Sequence, residues 1–218
     1  MSDTRTLAYE SFSLGRSNQS AEQPLIIPLH FMGSSPTQIC DILLRDVNFS
    51  ARVIAPYGRF PFEDQYSWFP EELYDKPEPE QGKFVDDCAD ILLENIARWQ
   101  REFPTHGRPI FLGVSQGGDI CFSLAARFGN QFSLCLPIAG RLLRDEVTKR
   151  PDSGMVRVHH GADDPIVPIA TAREAVAQLQ SAGLDVQMRE YAGVTHAVPA
   201  AMQQAVHDEI RSILKTFV

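Results

Sequence analysis

Residues 109–129 constrain the fold more than any other stretch of the chain. Pro109-Ile110-Phe111-Leu112, continued by Val114, is a short and nearly continuous apolar run, as expected of a strand buried on both faces of a parallel sheet. Beyond it, Ile120, Phe122, Leu124, Ala125 and Phe128 crowd a helix-length segment that stops at Gly129-Asn130, a C-terminal capping signal. Between the two lies Gly113-Val114-Ser115-Gln116-Gly117, followed by Gly118. A chain that passes from buried strand to helix so quickly must turn sharply, and side chains two positions either side of the turning residue would then collide. Glycine at both positions removes the collision. The spacing therefore predicts a strained turn that lifts the Ser115 hydroxyl above the edge of a sheet.

The rest of the chain alternates strand and helix patterns around this segment. An imperfect period of two over 7–12 predicts an edge strand, followed by a polar loop over 16–23. The apolar run 24–29 predicts a central strand, in which Pro28 removes one ladder donor. Ser35-Pro36-Thr37-Gln38 fits a capping box with proline at the first helical position, and Ile39, Ile42, Leu43 and Val47 continue it as an apolar stripe. After a strand at 52–56, a proline- and aromatic-rich stretch without periodicity runs to about residue 81. Helical spacing resumes over 83–103, with Asp86 and Asp87 early and Arg98 and Arg101 late, matching the helix dipole. Strands are expected at 132–138, 155–160 and 186–191, a polar connection over 141–154, and helices at 171–182 and 199–217. Such alternation implies an α/β fold with a mostly parallel central sheet flanked by helices, and loops that carry function at the C-terminal ends of the strands. No repeat or linker divides the 218 residues, so a single domain over 1–218 is expected.

Charge and composition narrow the partners. A formal net charge of −8 without any Lys/Arg run argues against nucleic acid and against stable association with an anionic membrane. The polar N-terminal stretch lacks the basic start and apolar run of a signal peptide, and no segment approaches the length of a membrane span, so a cytoplasmic location is expected. Cys40, Cys88, Cys121 and Cys135 have no CxxC spacing and read as reduced, buried thiols. The one adjacent histidine pair, His159-His160, should point to opposite strand faces, so no metal site is expected.

A serine hydroxyl is a poor nucleophile until a histidine removes its proton, and that histidine needs a carboxylate to fix its tautomer. In hydrolases with this strand-turn-helix arrangement the chain order is serine, then acid, then histidine, each on the loop after its strand. His196, in the loop after the last strand, is preferred over His207, which falls in the final helix beside Gln203, Gln204 and Arg211 and reads as solvated surface. The loop after the preceding strand offers Asp163 and Asp164. Asp164 precedes Pro165 and is biased to extended backbone, which favours it as the acid and leaves Asp163 as a loop cap. Gln116 N–H is expected as one donor to an oxyanion.

The Gly113-Val114-Ser115-Gln116-Gly117-Gly118 turn, His160-Gly161-x-x-Asp164-Pro165-x-Val167-Pro168 and Gly193-x-x-His196 together resemble the phospholipase/carboxylesterase family over nearly the whole chain. The resemblance implies a small α/β-hydrolase fold without a large cap domain, no cofactor, and Asp164 as the acid. It also implies that Leu29-His30-Phe31-Met32-Gly33, similar to the family's L-H-G-x-G segment, supplies a second oxyanion donor from Met32 N–H, with Phe31 N–H the next candidate. Phe31 departs from the family pattern, where glycine stands. His30 reads as a structural histidine holding backbone nearby.

The aromatic stretch 57–69 leaves the C-terminal end of a strand, where substrates bind in such sheets, and predicts an apolar pocket. Phe31, Trp68, Phe69 and Val167 are its expected lining. Glu63, Asp64, Glu71, Glu72, Asp75, Glu78 and Glu80 make this region acidic and unwelcoming to highly anionic substrates, and Arg59 is expected to pair with them. The sequence thus predicts a serine carboxylesterase acting on a small-molecule ester. A thioesterase or lysophospholipase with the same residues is the alternative, and a ligand receptor that keeps the fold without turnover is a remote third.

Overall fold

A computed structural model describes residues 5–15, 22–148 and 152–217. Most of the polar loop expected over 16–23, and part of the connection over 141–154, lie outside the described residues.

Seven strands form one sheet in the order β1-β3-β2-β6-β7-β8-β9. They are β1 (Tyr9–Leu14), β2 (Gln23–Leu29), β3 (Ala51–Pro56), β6 (Thr105–Val114), β7 (Leu134–Ile138), β8 (Met155–Gly161) and β9 (Val186–Tyr191). Only β1 runs antiparallel, against β3; the other pairings are parallel. The pairing of β2 to β3 stops at Ile26, two residues before Pro28, which fits the missing donor there.

Successive strand residues feed opposite faces, and each face is covered by helices. Leu25, Ile27, Leu29 and Phe111 join one core with α2 (Glu78–Glu102), α3 (Gln116–Arg127) and α4 (Ile169–Ser181). Ile26, Ile110, Leu112 and Leu134 join the other with α1 (Pro36–Leu43) and α5 (Ala200–Leu214). Each such aliphatic side chain, taken fully out of water, contributes roughly 1.5–3 kcal/mol. The chain leaves β2 toward β3 on one side and returns through α2 to β6 on the other. The sheet order therefore reverses between β2 and β6, the crevice where α/β sheets hold ligands.

Local signals explain most element ends. Ser35 caps α1 by accepting from Gln38 N–H at 3.2 Å, and Pro36 opens the helix. The stretch expected to lack periodicity up to residue 81 holds more structure than that. β4 (Phe60–Phe62) and β5 (Gln65–Ser67) form a hairpin closed by Glu63-Asp64, with Glu63 at φ 49° and no glycine to mark the turn. A short 3-10 turn follows at Glu71–Asp75, and α2 begins at Glu78, with Pro79 in its first turn and Glu78 and Glu80 at its positive end. Arg59 pairs not with its loop neighbours but with Asp87 of α2, at 3.2 Å.

His207 is a second correction. It is buried, and its Nε2 donates to Leu43 O at 2.8 Å, because α1 lies across that side of α5 and ends in carbonyls that lack a partner within the helix. All four cysteines are free and buried. Among the described residues no helix is long and apolar enough to cross a membrane.

Candidate active site

Ser115 stands between β6 and α3 at φ 54°, ψ −113°, a left-handed region that a residue with a side chain occupies only under strain. Its backbone is fixed from both sides: Ser115 N–H donates to Ile138 O and Asp119 N–H donates to Ser115 O, each at 2.9 Å. The flanking glycines are obligatory. A Cβ on Gly113 would lie 2.1 Å from Gly117 O, and one on Gly117 would lie 2.2 Å from Leu29 O.

The loop after β8 carries Asp164, whose Oδ1 accepts from Ile166 N–H and Val167 N–H, both at 2.9 Å. Its Oδ2 lies 2.7 Å from His196 Nδ1, and His196 Nε2 lies 3.0 Å from Ser115 Oγ. Burial alone would raise the Asp164 pKa. The Val167 N–H, the His196 ring and the Ile166 N–H outweigh it and hold the carboxyl below the usual range. An ionised Asp164 only accepts, so Nδ1 carries the proton and Nε2 presents its lone pair to the serine hydroxyl. Asp163 accepts from Gly193 N–H at 2.7 Å and so ties the acid loop to the histidine loop. His160 Nε2 donates to Val167 O at 2.8 Å and lies 3.5 Å from Asp164 Oδ2, bracing the acid from behind.

Gln116 is the first helical residue of α3, so its N–H has no acceptor within the helix and points out at the positive end of the dipole. Across the crevice, His30 accepts from Gly58 N–H through Nε2 at 2.9 Å, which leaves Nδ1 protonated and donating to Phe31 O at 2.8 Å. The carbonyl and N–H of one trans peptide point in opposite directions, so holding Phe31 O turns Met32 N–H away from His30. The next residue, Gly33, has φ 72° and donates to Tyr66 O at 3.0 Å, pinning the segment to the β4–β5 hairpin.

A cleft of about 620 Å³ opens beside Ser115 and His196. Phe31, Met32 and Val167 line it, as do Ile42, Tyr74, Asp119, Arg141 and Val198, none of which the sequence places in a pocket. Trp68 and Phe69, expected in the pocket, are instead about 1% exposed and belong to the core. Their burial follows from partners outside their own loop. Trp68 Nε1 donates to His30 O at 3.0 Å, and Phe69 packs edge-on against Phe84 of α2. Trp68 N–H donates to the Gln116 side chain at 2.9 Å, while Gln116 Nε2 reaches Ser67 Oγ and Tyr74 Oη at 3.0 and 2.9 Å. Gln116 thus braces the aromatic loop with its side chain while its backbone faces the cleft. Met32, Tyr74 and Ile166 are three of the four exposed large apolar side chains among the described residues, and all three lie at this cleft.

The buried histidines give the fold a pH dependence. Burial holds His30 and His159 down at about 4, from an ordinary 6.5. As pH falls from 6.5 toward 4, the unfolded chain binds protons that the folded state refuses, so stability falls. By about pH 5 each histidine accounts for a loss on the order of 2 kcal/mol. Asp119 works in the other direction: burial pushes it up to about 6 against the pull of Arg141, so folding gains from its protonation as pH drops below 6. The net expectation is a lower urea midpoint at pH 5 than at pH 7, and a flat profile would contradict it.

The family profile described as Phospholipase/Carboxylesterase matches residues 16–214. No curated protein matches by sequence. Among solved structures, the fold is shared with esterase PE8 at TM-score 0.77 and 18% identity, over 94% of this chain and 99% of that one. Acyl-protein thioesterase 2 of Zea mays matches at TM-score 0.70 and 18% identity, over 94% and 99%. A carboxylesterase of Bacillus cereus matches at 0.65 and 17%, over 94% of each chain. At these identities the structural likeness concerns the fold.

Proposed function

The chain belongs to the phospholipase/carboxylesterase family of α/β-hydrolases, and from that premise we propose that it is a serine carboxylesterase acting on small-molecule esters with small or medium acyl and alkyl groups. Ser115 Oγ attacks the ester carbonyl while His196 Nε2 takes its proton, and Asp164 stabilises the imidazolium through Nδ1–H. The oxyanion that forms accepts from Gln116 N–H and Met32 N–H. Collapse of the tetrahedral adduct expels the alcohol, which leaves with the proton from His196. Water, deprotonated by His196, then attacks the acyl-enzyme, and breakdown of the second adduct releases the acid and returns the proton to Ser115.

The observation that carries this reading is the run of contacts from Asp164 through His196 to Ser115, at 2.7 and 3.0 Å, on a serine held at a positive φ. The cleft volume lies within the range of sites that enclose a small organic ligand. Nothing in the chemistry calls for a cofactor, and the reading has the chain act as a single domain. Four buried free thiols suit the reducing cytoplasm.

Thioesters are the second reading, favoured by the fold shared with the maize acyl-protein thioesterase and using the same residues. Matched acyl groups, presented as p-nitrophenyl esters and as alkyl thioesters, separate the two. The expected result is a higher kcat/KM for the oxygen ester at short and medium chain lengths. A thioester preference of about tenfold or more, equivalent to 1.4 kcal/mol in the transition state, would assign the site to thioesters instead.

A further inference from the structure

The cleft has two chemically different sides. Phe31, Ile42 and Val198 pack onto the core shared with α1 and α5 and give it an apolar wall. The opposite wall holds Tyr74, Asp119 and Arg141, and Arg141 is the one Lys or Arg among the residues that line the cleft. We propose that Arg141 binds a carboxylate carried by the substrate, so that the preferred ester has one apolar half and one short half ending in a carboxylate. This rests on the Ser115 esterase reading and adds the substrate class to it.

The pair is built so that it presents donors to the cleft. Asp119 is buried, and both of its oxygens are used on Arg141: Oδ1 accepts from Arg141 N–H at 2.7 Å, and Oδ2 from Nη2 at 3.0 Å. Gln81 Oε1 takes Nη1 at 3.3 Å, and the guanidinium stands 6.0 Å from the centre of the Tyr74 ring. Those contacts fix the position of the head group while engaging two of its five N–H bonds, and its side chain remains 22% exposed. Tyr74 Oη accepts from Gln116 Nε2, which leaves its own proton to donate. Both Asp119 oxygens on this wall are already engaged, while Arg141 and Tyr74 keep donors to offer, so the group that complements it is an acceptor.

A planar carboxylate fits a guanidinium fork through paired, charge-assisted hydrogen bonds. A carboxylate adds a single charge beside the Asp119–Arg141 pair; a phosphate dianion would add a second in an acidic protein, with no further Lys or Arg lining the cleft to offset it. Asp119, which holds the Arg141 guanidinium, follows Ser115 by about one helical turn, a rise of about 6 Å, so the proposal puts the anion a few bonds from the carbonyl under attack.

The test uses pairs of esters that differ only in carboxylate against the isosteric carboxamide. One pair is butyl hydrogen glutarate and butyl glutaramate, with the charge in the acyl half. The other is the butanoate ester of a short ω-hydroxy acid and of its amide, with the charge in the alcohol half. The quantity read is the ratio of kcat/KM values within each pair, which cancels any loss of folded enzyme. In at least one pair the wild-type protein should prefer the carboxylate by about ten- to a hundredfold, and Arg141→Gln should bring that ratio to about one. Since Arg141→Gln strands a buried carboxylate, the double variant Asp119→Asn/Arg141→Gln, which keeps the wall neutral, is measured beside it. No carboxylate preference in either pair, or a preference that survives both variants, overturns the proposal. If the carboxamide esters are cleaved by wild type and not by Ser115→Ala, a failed preference counts against the anion site alone. If Ser115→Ala cleaves them as well as wild type does, the esterase reading itself fails.

Discussion

Ser115→Ala should lower ester turnover about a millionfold, the loss that follows removal of the nucleophile in a well-studied serine hydrolase. No neighbour can substitute for it. His196 Nε2 and Asp164 Oδ2 lie in sequence behind the hydroxyl, and in the proposed reaction they serve its deprotonation and not the attack on the carbonyl. The protein should remain folded, since alanine keeps the backbone bonds to Ile138 and Asp119 and loses only a partly exposed hydroxyl. Its urea midpoint should change by no more than the equivalent of about 0.5 kcal/mol. Initial rates on a p-nitrophenyl ester, corrected for spontaneous hydrolysis, check the first part, and urea unfolding checks the second. Residual activity above about a thousandth of wild type would mean that another group attacks the ester.

Gly117→Ala should harm both activity and fold, for a reason unconnected with reactive groups. Its new Cβ would approach Leu29 O to 2.2 Å and Leu29 C to 2.7 Å, far inside contact distance. Because both are backbone atoms, relief requires α3 and the end of β2 to move apart. Overpacking of this kind costs about 1–3 kcal/mol, and more where backbone cannot yield. The activity loss should exceed what stability explains. Leu29 leads through His30 into Phe31 and Met32, while Gly117 follows Ser115 and Gln116, so one displacement moves Met32, the proposed oxyanion donor, away from both Ser115 and Gln116. Misplacement of reacting groups by about 1 Å costs on the order of a hundredfold. At a temperature where the variant remains folded by circular dichroism, kcat/KM should therefore fall at least about a hundredfold. A folded Gly117→Ala enzyme with wild-type activity would show that α3 and β2 need not touch as closely as they do.

The two variants also mark what could be read from the chain before any coordinates. Gly113, Ser115 and Gly117 were legible because the steric demand is local: a sharp turn between a buried strand and a helix leaves room only for glycine. The meeting of the loops that carry Asp164 and His196 is legible through chain order, since strands that alternate with helices place their following loops at one end of the sheet. His30 in its loop context reads as a holder of backbone, and it holds Phe31 and Gly58. Partners decided by tertiary packing left no local trace. Trp68 and Phe69 look like pocket residues in sequence, yet His30, Gln116 and Phe84, dozens of residues away or on another element, draw them into the core. His207 looks solvated on its own helix and is buried because α1 crosses that side. Asp119 and Arg141 carry no motif at all; they meet because the turn after β7 passes beside the first turn of α3. The β4–β5 hairpin was hidden by a turn that uses Glu63 at positive φ in place of glycine.

The central claim is that Ser115 is a nucleophile activated by His196, and covalent trapping tests it most directly. A fluorophosphonate phosphonylates an activated serine with loss of fluoride, and intact-mass measurement followed by peptide mapping locates the adduct. The account predicts one adduct per chain, on the peptide that contains Ser115, formed at a rate that falls sharply in His196→Ala and absent in Ser115→Ala. Adduct formation on another residue, or full esterase activity in a protein whose Ser115 stays unmodified, would contradict it.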